Sequence, residues 1–456
     1  MRTLIGRQSA LMRLKRAAAE SPQLVVVRGR RRVGKSFLIS HAFREDPRFV
    51  YLQADEGTEQ MHLDLLAAEC ARLTGAPVRF SDWNAALDYL AQIAASEAIV
   101  LALDEFQWLW DAQSALPSTI MRHFDRWKRD GVPIALVIAG SAITLMERLV
   151  EGDQPLFGRA DARLLIEPFD YRVAAEFGSD DNAADNLRRY AVLGGTAQYQ
   201  AWAGTGSLTE VLETHILPPG EPLHDEPLQL LRGERDLREP GTYFAILRAI
   251  AEGRTQFNAI LQAVAPTKGA ALSARLHRLI ELGYVQQRTP LAGNGTGSYS
   301  ISDSYFRFWF RFIWPNRSRL QAGRIELVRD EILAGLDDFM GLAFEQACRQ
   351  WARRYAPHGT PLASAQQIGS YWTRTHDIEI DVVAMTGQRF DALGSAKWSA
   401  RADAHVLDRL RHQRDAIRNA GDSSLYIFAR GFDGSLARQA EGSDVQLIRA
   451  DDLYEP

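Results

Sequence analysis

The stretch "VVVRGRRRVGKSFLI", Val25 to Ile39, constrains this chain more than any other. Its opening valines are β-branched and uninterrupted, as in a strand buried on both faces of a parallel sheet. Gly29, Gly34, Lys35 and Ser36 then fit G-x-x-x-x-G-K-[ST], and the residues after them are helix-compatible. Strand, glycine-bounded loop and helix in that order read as a phosphate-binding loop. The glycines let successive amides turn inward on an anion, and the helix N-terminus adds its positive end. The expected nucleotide-binding residues here are Gly29, Arg30, Arg31, Arg32, Val33, Gly34, Lys35, Ser36 and Phe37. Lys35 reaches the β/γ-phosphate oxygens and Ser36 holds Mg2+. The three arginines have two readings: solvated loop tips, or one contact to a neighbouring nucleotide.

A loop that holds a triphosphate needs a second strand to place metal and water, and "AIVLALDEFQWL" supplies it. Asp104 at the strand end is the expected partner of the Mg2+ shell. Glu105, one residue on, is placed to orient or deprotonate an attacking water. The next apolar strand, "PIALVIAG", ends at Ser141. Its hydroxyl either reports on the γ-phosphate or caps the helix "AITLMERLV". No Asn-Lys-x-Asp guanine-reading motif occurs, so ATP with Mg2+ is the expected cofactor.

At 456 residues the chain is long enough for two to four domains. With 24% charged residues and a net charge of -4 it is no polycation that coats nucleic acid, so any DNA contact must come from a local patch. The two cysteines, Cys70 and Cys348, lack metal-ligand spacing and read as buried packing in a reducing, cytoplasmic setting. Apolar runs are strand-sized, far short of the roughly 20 residues that span a bilayer, so no membrane segment is expected. The basic first twenty residues sit so close to the Val25 strand that they read as folded protein.

Several segments taken together resemble an archaeal-type ATPase family of AAA+/STAND P-loop proteins. They are "LIGRQSALMRL", "GRRRVGKSFLI", "LALDEFQWL", "GSAITLMERL", "PLFGRADARLLIEPFDYRVAAEF" and "YAVLGGTAQYQAW". The resemblance implies that Gly6 and Arg7 lie near the adenine, although Gln8 and Ser9 stand where acidic residues are usual. It implies a charge-sensing role at the γ-phosphate for Arg159, for which surface solvation is the plainer alternative. Gly194-Gly195 would open a helical lid, with Thr196-Ala197-Gln198 where the family has a proline.

After a Pro- and Asp-rich connector, "TYFAILRAIAEG", "QFNAILQAVAP" and "KGAALSARLHRLIELGYV" carry apolar residues at helical spacing. The segments "VQQRTPL" and "SYSISD" around a glycine-rich loop then read as a hairpin, giving a winged helix by pattern. Leu272, Leu276 and Leu279 form the expected buried stripe. Lys268, Arg275 and Arg278 are left for DNA phosphates or, more plainly, for solvent. The aromatic "YFRFWFRFIWPNR" reads as a packing core.

From about Asp337 the chain resembles the family's appended domain of PD-(D/E)XK nuclease type. Glu345 and Asp381 fill its helix-glutamate and strand-aspartate places, and Lys397 its lysine. Ser395 stands where the Glu-x-Lys carboxylate belongs. Glu379, two residues before Asp381, shares its strand face. With one anionic ligand missing, Mg2+ is held less well, and the arm reads as a nucleic-acid or protein binder that does not cut.

The expectation is therefore an α/β chain: a P-loop NTPase core with a parallel sheet over 1–180, and a helical lid and connector over 181–238. A winged helix over 239–305, an aromatic linker over 306–336 and a nuclease-like α/β domain over 337–456 follow. Its expected function is an ATP-binding, ATP-hydrolysing switch, catalysed by Glu105, Asp104 and Lys35. The rivals are an ATP-regulated, Mg2+-dependent endonuclease and a non-hydrolysing, ATP-bound scaffold. Candidate partners are nucleic acid, another protein and further copies of the chain.

Overall fold

The computed structural model describes residues 4–152, 154–178, 182–234, 237, 239–293 and 295–455. They divide into two compact units, Met1–Pro168 and Phe169–Pro456. The expected boundaries at 180/181 and 238/239 fall on Asp180, Asp181 and Arg238, which lie outside the described residues. No described helix is long and apolar enough to cross a membrane.

In the first unit, β1 (Gln23–Arg28), β2 (Phe49–Gln53), β3 (Ile99–Asp104), β4 (Ile134–Gly140) and β5 (Ala162–Leu165) form a five-stranded sheet. Its order is β2-β3-β4-β1-β5, and every pair is parallel. The valine run is buried because helices cover both faces. Leu24 and Val26 enter one core, Val25 and Val27 the other, and all four are fully buried. Pairing sets Arg28 opposite Gly140, Leu103 opposite Ile138 and Gln53 opposite Asp104. The carboxyl ends of four strands therefore share one edge, where ligands of such sheets sit.

The second unit begins with helices. Pro240–Ala251, Phe257–Ala263 and Gly269–Glu281 precede an antiparallel hairpin of β6 (Val285–Arg288) and β7 (Ser298–Ile301), the element order of a winged helix. Leu272, Leu276 and Leu279 are buried. The aromatic segment is core: Tyr305, Phe306, Phe308, Trp309, Phe310 and Phe312 are buried together. The Tyr305 hydroxyl donates to Leu223 O at 2.6 Å and the Trp309 indole to His224 O at 2.7 Å. The 336/337 boundary falls inside one uninterrupted helix of 30 residues, Ile325–Arg354. Val328, Ile332 and Leu336 enter the core of the winged-helix segment, and Met340 and Phe344 that of the following sheet. A single stripe at i, i+4 spacing thus serves two cores, and no break is required.

That sheet has the order β12-β11-β10-β9-β8. β8 (Gln367–Trp372), β9 (Glu379–Thr386) and β10 (Arg389–Ala396) run antiparallel. β11 (Ser424–Ala429) and β12 (Val445–Arg449) continue parallel to β10, which requires the crossover helix Ala404–Ala416. Edge strand β8 is covered by the loop of the β6/β7 hairpin. Leu291 N donates to Ser370 O at 2.9 Å, and the Trp372 indole donates to Thr296 O at 3.0 Å. Gly295 permits this approach, since a Cβ there would lie 2.4 Å from Trp372 O.

Candidate functional site

At the carboxyl edge of the parallel sheet, Gly29 leaves β1 pressed against the exit of β5. A Cβ on Gly29 would lie 2.3 Å from Ile166 O, while Ile166 N donates to Arg28 O at 2.7 Å. Gly34, in the left-handed region at φ 94°, opens the helix Lys35–Phe43. Arg32 is also left-handed, at φ 71°, a conformation costing a side chain about 1–2 kcal/mol. Lys35 is buried and bridges the loop: its Nζ donates to Gly29 O at 2.9 Å and Arg30 O at 3.1 Å. Val33 is buried, whereas Phe37 faces outward and stacks on His41. Arg7, which follows Gly6, donates to Val33 O at 3.3 Å and Glu167 O at 2.6 Å, tying the loop's rim to the exit of β5. Burial lowers its pKa to about 10, against the opposing charge of Glu167.

Asp104 is fully buried. Its Oδ1 accepts the Glu105 amide at 2.9 Å and its Oδ2 the Tyr51 hydroxyl at 2.7 Å. The phenol of Tyr51, on the neighbouring strand, is thus bonded to one of the two expected metal-ligating residues. Burial, and then the charge of Asp104, raises the Tyr51 pKa and keeps that phenol protonated. Glu105 sits in the left-handed region at φ 52°. Its Oε2 accepts from Ser141 Oγ at 2.8 Å and from the Gln107 amide, whose Nε2 is 3.2 Å from Ser141 Oγ. Ser141 is thus spent on Glu105 and does not cap the next helix, Ile143–Arg148, which has no side-chain cap. Gly140 makes room for this group, since a Cβ there would meet Gln107 Oε1 at 2.8 Å.

These residues suit a magnesium nucleotide. A hydroxyl and a carboxylate are hard oxygen donors, and Mg2+ commonly takes one or two protein oxygens, leaving phosphate and water to complete its shell. Loop, Ser36, Asp104, Glu105 and Ser141 converge. Arg159 is instead held on Asp125 by a two-pronged bond, Nε to Oδ1 at 2.8 Å and Nη2 to Oδ2 at 2.9 Å. That bonding raises its pKa.

Residues 21–174 match a family model described as "AAA domain". This stretch is similar to AAA-type P-loop domains. Residues 309–407 match a second family, described as archaea bacterial proteins of unknown function. An uncharacterized protein of Methanocaldococcus jannaschii is 27% identical over 398 residues, covering 84% of each chain. Among solved structures, a Walker-type ATPase of Pyrococcus abyssi superposes with a TM-score of 0.51 at 19% identity, over 68% of this chain and 96% of that one. The Aeropyrum pernix ORC2 protein gives 0.46 at 16% identity, over 70% and 95%. The first of these shares the fold. The stretch similar to AAA-type domains carries the phosphate loop and both acidic residues of the site.

The C-terminal candidates surround a separate cavity of about 230 Å3, lined among others by Glu379, Asp381, Ser395 and Lys397. Asp381 Oδ2 accepts from Ala396 N at 2.8 Å, Lys397 Nζ at 3.2 Å and Ser395 Oγ at 3.4 Å. Glu345 does not line the cavity. Its Oε2 lies 3.4 Å from Arg349 Nη1 and 3.9 Å from Arg288 Nη2. Burial, then the charge of Asp381, raises its pKa while the two arginines oppose. Among the described residues no group of three or more His, Cys, Asp or Glu is placed to hold a metal. The two winged-helix arginines are also engaged, Arg275 with Glu239 and Arg278 with Glu281, each at 2.7 Å.

Tyr51, Gln107, Arg288 and Arg349 escaped the sequence reading. Gln107 and Arg349 had a local signal, lying two residues after Glu105 and one helical turn after Glu345. Tyr51 and Arg288 had none, because strand pairing brings Tyr51 to Asp104 and tertiary packing of the hairpin on a distant helix brings Arg288 to Glu345.

Proposed function

We propose that this chain is an ATP-binding and slowly ATP-hydrolysing AAA+ switch. The observation that carries this reading is the buried Asp104 carboxylate, held by Tyr51 and by the amide of Glu105, on the sheet edge that also bears the phosphate loop. Ser36 and Asp104 would hold Mg2+, which would supply positive charge to offset that of the phosphates. Lys35, now on loop carbonyls, exchanges them for phosphate oxygens, which bind an ammonium more strongly than neutral carbonyls do. Glu105 accepts the proton of the attacking water. Ser141 and Gln107 donate to that same carboxylate, so the base is held back until those bonds yield. A slow turnover suits a switch, because the bound state lasts long enough to bias a two-state element.

The test is steady-state phosphate release by the full chain, with nucleotide binding measured in parallel. Glu105→Gln should abolish release and retain binding, and Lys35→Ala should weaken binding. Absence of binding in the wild type overturns the reading. A non-hydrolysing scaffold is the second reading, favoured by the hold of Ser141 and Gln107 on Glu105, and zero turnover with intact binding would select it.

The switched element is the winged helix together with the C-terminal domain. That domain is read as a degenerate PD-(D/E)XK nuclease-like module that binds nucleic acid or protein and does not cut. Ser395 in the carboxylate position and the hold of Lys397 on Asp381 support this assignment. Arg159 senses nucleotide charge once released from Asp125, and Gly6-Arg7 borders the adenine. Cys70 and Cys348 are both unpaired and buried, which supports a reducing, cytoplasmic compartment. Assembly with further copies of the chain is part of the same reading.

A further inference from the structure

Tyr51 takes no part in the chemistry proposed above, yet its hydroxyl is bonded to Asp104, one of the two residues that would hold the metal. Its ring belongs to an aromatic row on the sheet face covered by the helix Lys35–Phe43. Phe43 and Phe49 lie 5.5 Å apart, and Phe49 and Tyr51 5.7 Å apart, by ring centroids. Pairing of β2 with β3 sets Tyr51 opposite Ala102 and Gln53 opposite Asp104. The phenol therefore points along the strand to the Asp104 carboxylate. Apolar ring and polar tip are used separately: the ring fixes the position and the hydroxyl meets the site.

Asp104 is fully buried, and Glu105 N donates to its Oδ1. The Tyr51 hydroxyl is the donor to Oδ2, at 2.7 Å. A buried carboxylate held by two donors cannot rotate without losing one of them, and such charge-assisted bonds are the strong kind.

Resting on the nucleotide-site reading, we infer that Tyr51 is a positioning residue, holding the Asp104 carboxylate in the orientation that Mg2+ requires before it arrives. Its role is toward the metal and not toward the nucleotide. Outer partners of metal ligands typically govern affinity by about 10- to 100-fold.

The experiment uses the full chain and methylanthraniloyl-ADP, whose fluorescence reports binding without hydrolysis, across a Mg2+ titration. Tyr51→Phe keeps the ring and removes one oxygen. Its Mg2+ half-saturation should rise by about tenfold or more, while affinity for the nucleotide without Mg2+ stays as in the wild type. A purely structural tether would lower the melting temperature and leave the Mg2+ titration in place. In an Asp104→Asn background the Tyr51→Phe effect should shrink, since the carboxylate it positions is gone. An unchanged or lowered Mg2+ half-saturation in Tyr51→Phe overturns the inference alone. A wild type that binds no methylanthraniloyl-ADP at any Mg2+ concentration overturns the nucleotide site, and this inference with it.

Discussion

Lys397 and Asp381 form an ion pair at 3.2 Å, and the carboxylate oxygen they share also takes the Ala396 amide. In a metal-dependent nuclease that oxygen would face the cation. Here an ammonium and an amide occupy it, and Ser395 adds a hydroxyl where a third carboxylate would sit.

The first prediction follows from that pair. The nucleotide-free wild type should show no saturable Mn2+ binding by calorimetry and no Mg2+-dependent cleavage of single-stranded, duplex or branched DNA. Ser395→Glu should gain Mn2+ binding, seen as a melting temperature that climbs with Mn2+ concentration. Cleavage by the wild type that disappears in Asp381→Ala would reverse this assignment.

Gly29 has no room for a methyl group, because the atom it would strike is the backbone oxygen of Ile166 at 2.3 Å. Gly29→Ala should cost roughly 1–3 kcal/mol in urea unfolding. Gly269, the first residue of its helix, has only Leu261 within reach, at 4.0 Å. Gly269→Ala should be neutral or stabilising by up to about 1 kcal/mol. Equal effects of the two substitutions would contradict the packing described around the phosphate loop.

Asp337 gathers three donors: the Trp398 indole at 2.9 Å, Arg188 at 3.1 Å and Arg430 at 3.2 Å. Burial pushes its pKa up, but Trp398, Arg188 and Arg430 together bring it below the ordinary 3.8. A carboxyl whose pKa falls on folding stabilises above its unfolded value, and that contribution disappears as pH drops through the folded value. Asp337→Asn should therefore be less stable than the wild type at pH 7, by about 0.5–1 kcal/mol for so exposed a carboxylate. The two should converge below pH 3.8. A gap that persists into acid would assign the effect to packing.

Arg275 and Arg278 are paired with Glu239 and Glu281. If both contacted DNA phosphates, removing each would lower the salt dependence of binding by about one unit of slope. We expect Arg275→Ala and Arg278→Ala to leave any DNA affinity and its salt slope unchanged, as read by fluorescence anisotropy. A loss of slope would place this helix on the nucleic acid.

The phosphate loop was legible because its chemistry is local. Consecutive amides, a glycine at φ 94° and the first turn of a helix need only neighbours in the chain. Asp104 and Glu105 were legible for the same reason, as acids ending an apolar strand. The stripe Leu272, Leu276 and Leu279 was legible, since buried helical faces repeat with a fixed period. The boundary at 336/337 misled because composition changes there while the stripe from Val328 to Phe344 does not.

Sequence by itself determined which residues can bind phosphate and metal, since that follows from residue type and short-range backbone geometry. Tertiary structure alone decided which of them are already occupied. Ser141 and Gln107 are on Glu105, Tyr51 on Asp104, Asp125 on Arg159, and Lys397 on Asp381. Most of these bonds join separate segments of the chain, and whether a buried carboxylate finds a hydroxyl, an amide or a cation depends on strand register and packing. Neither is written in any single stretch of residues.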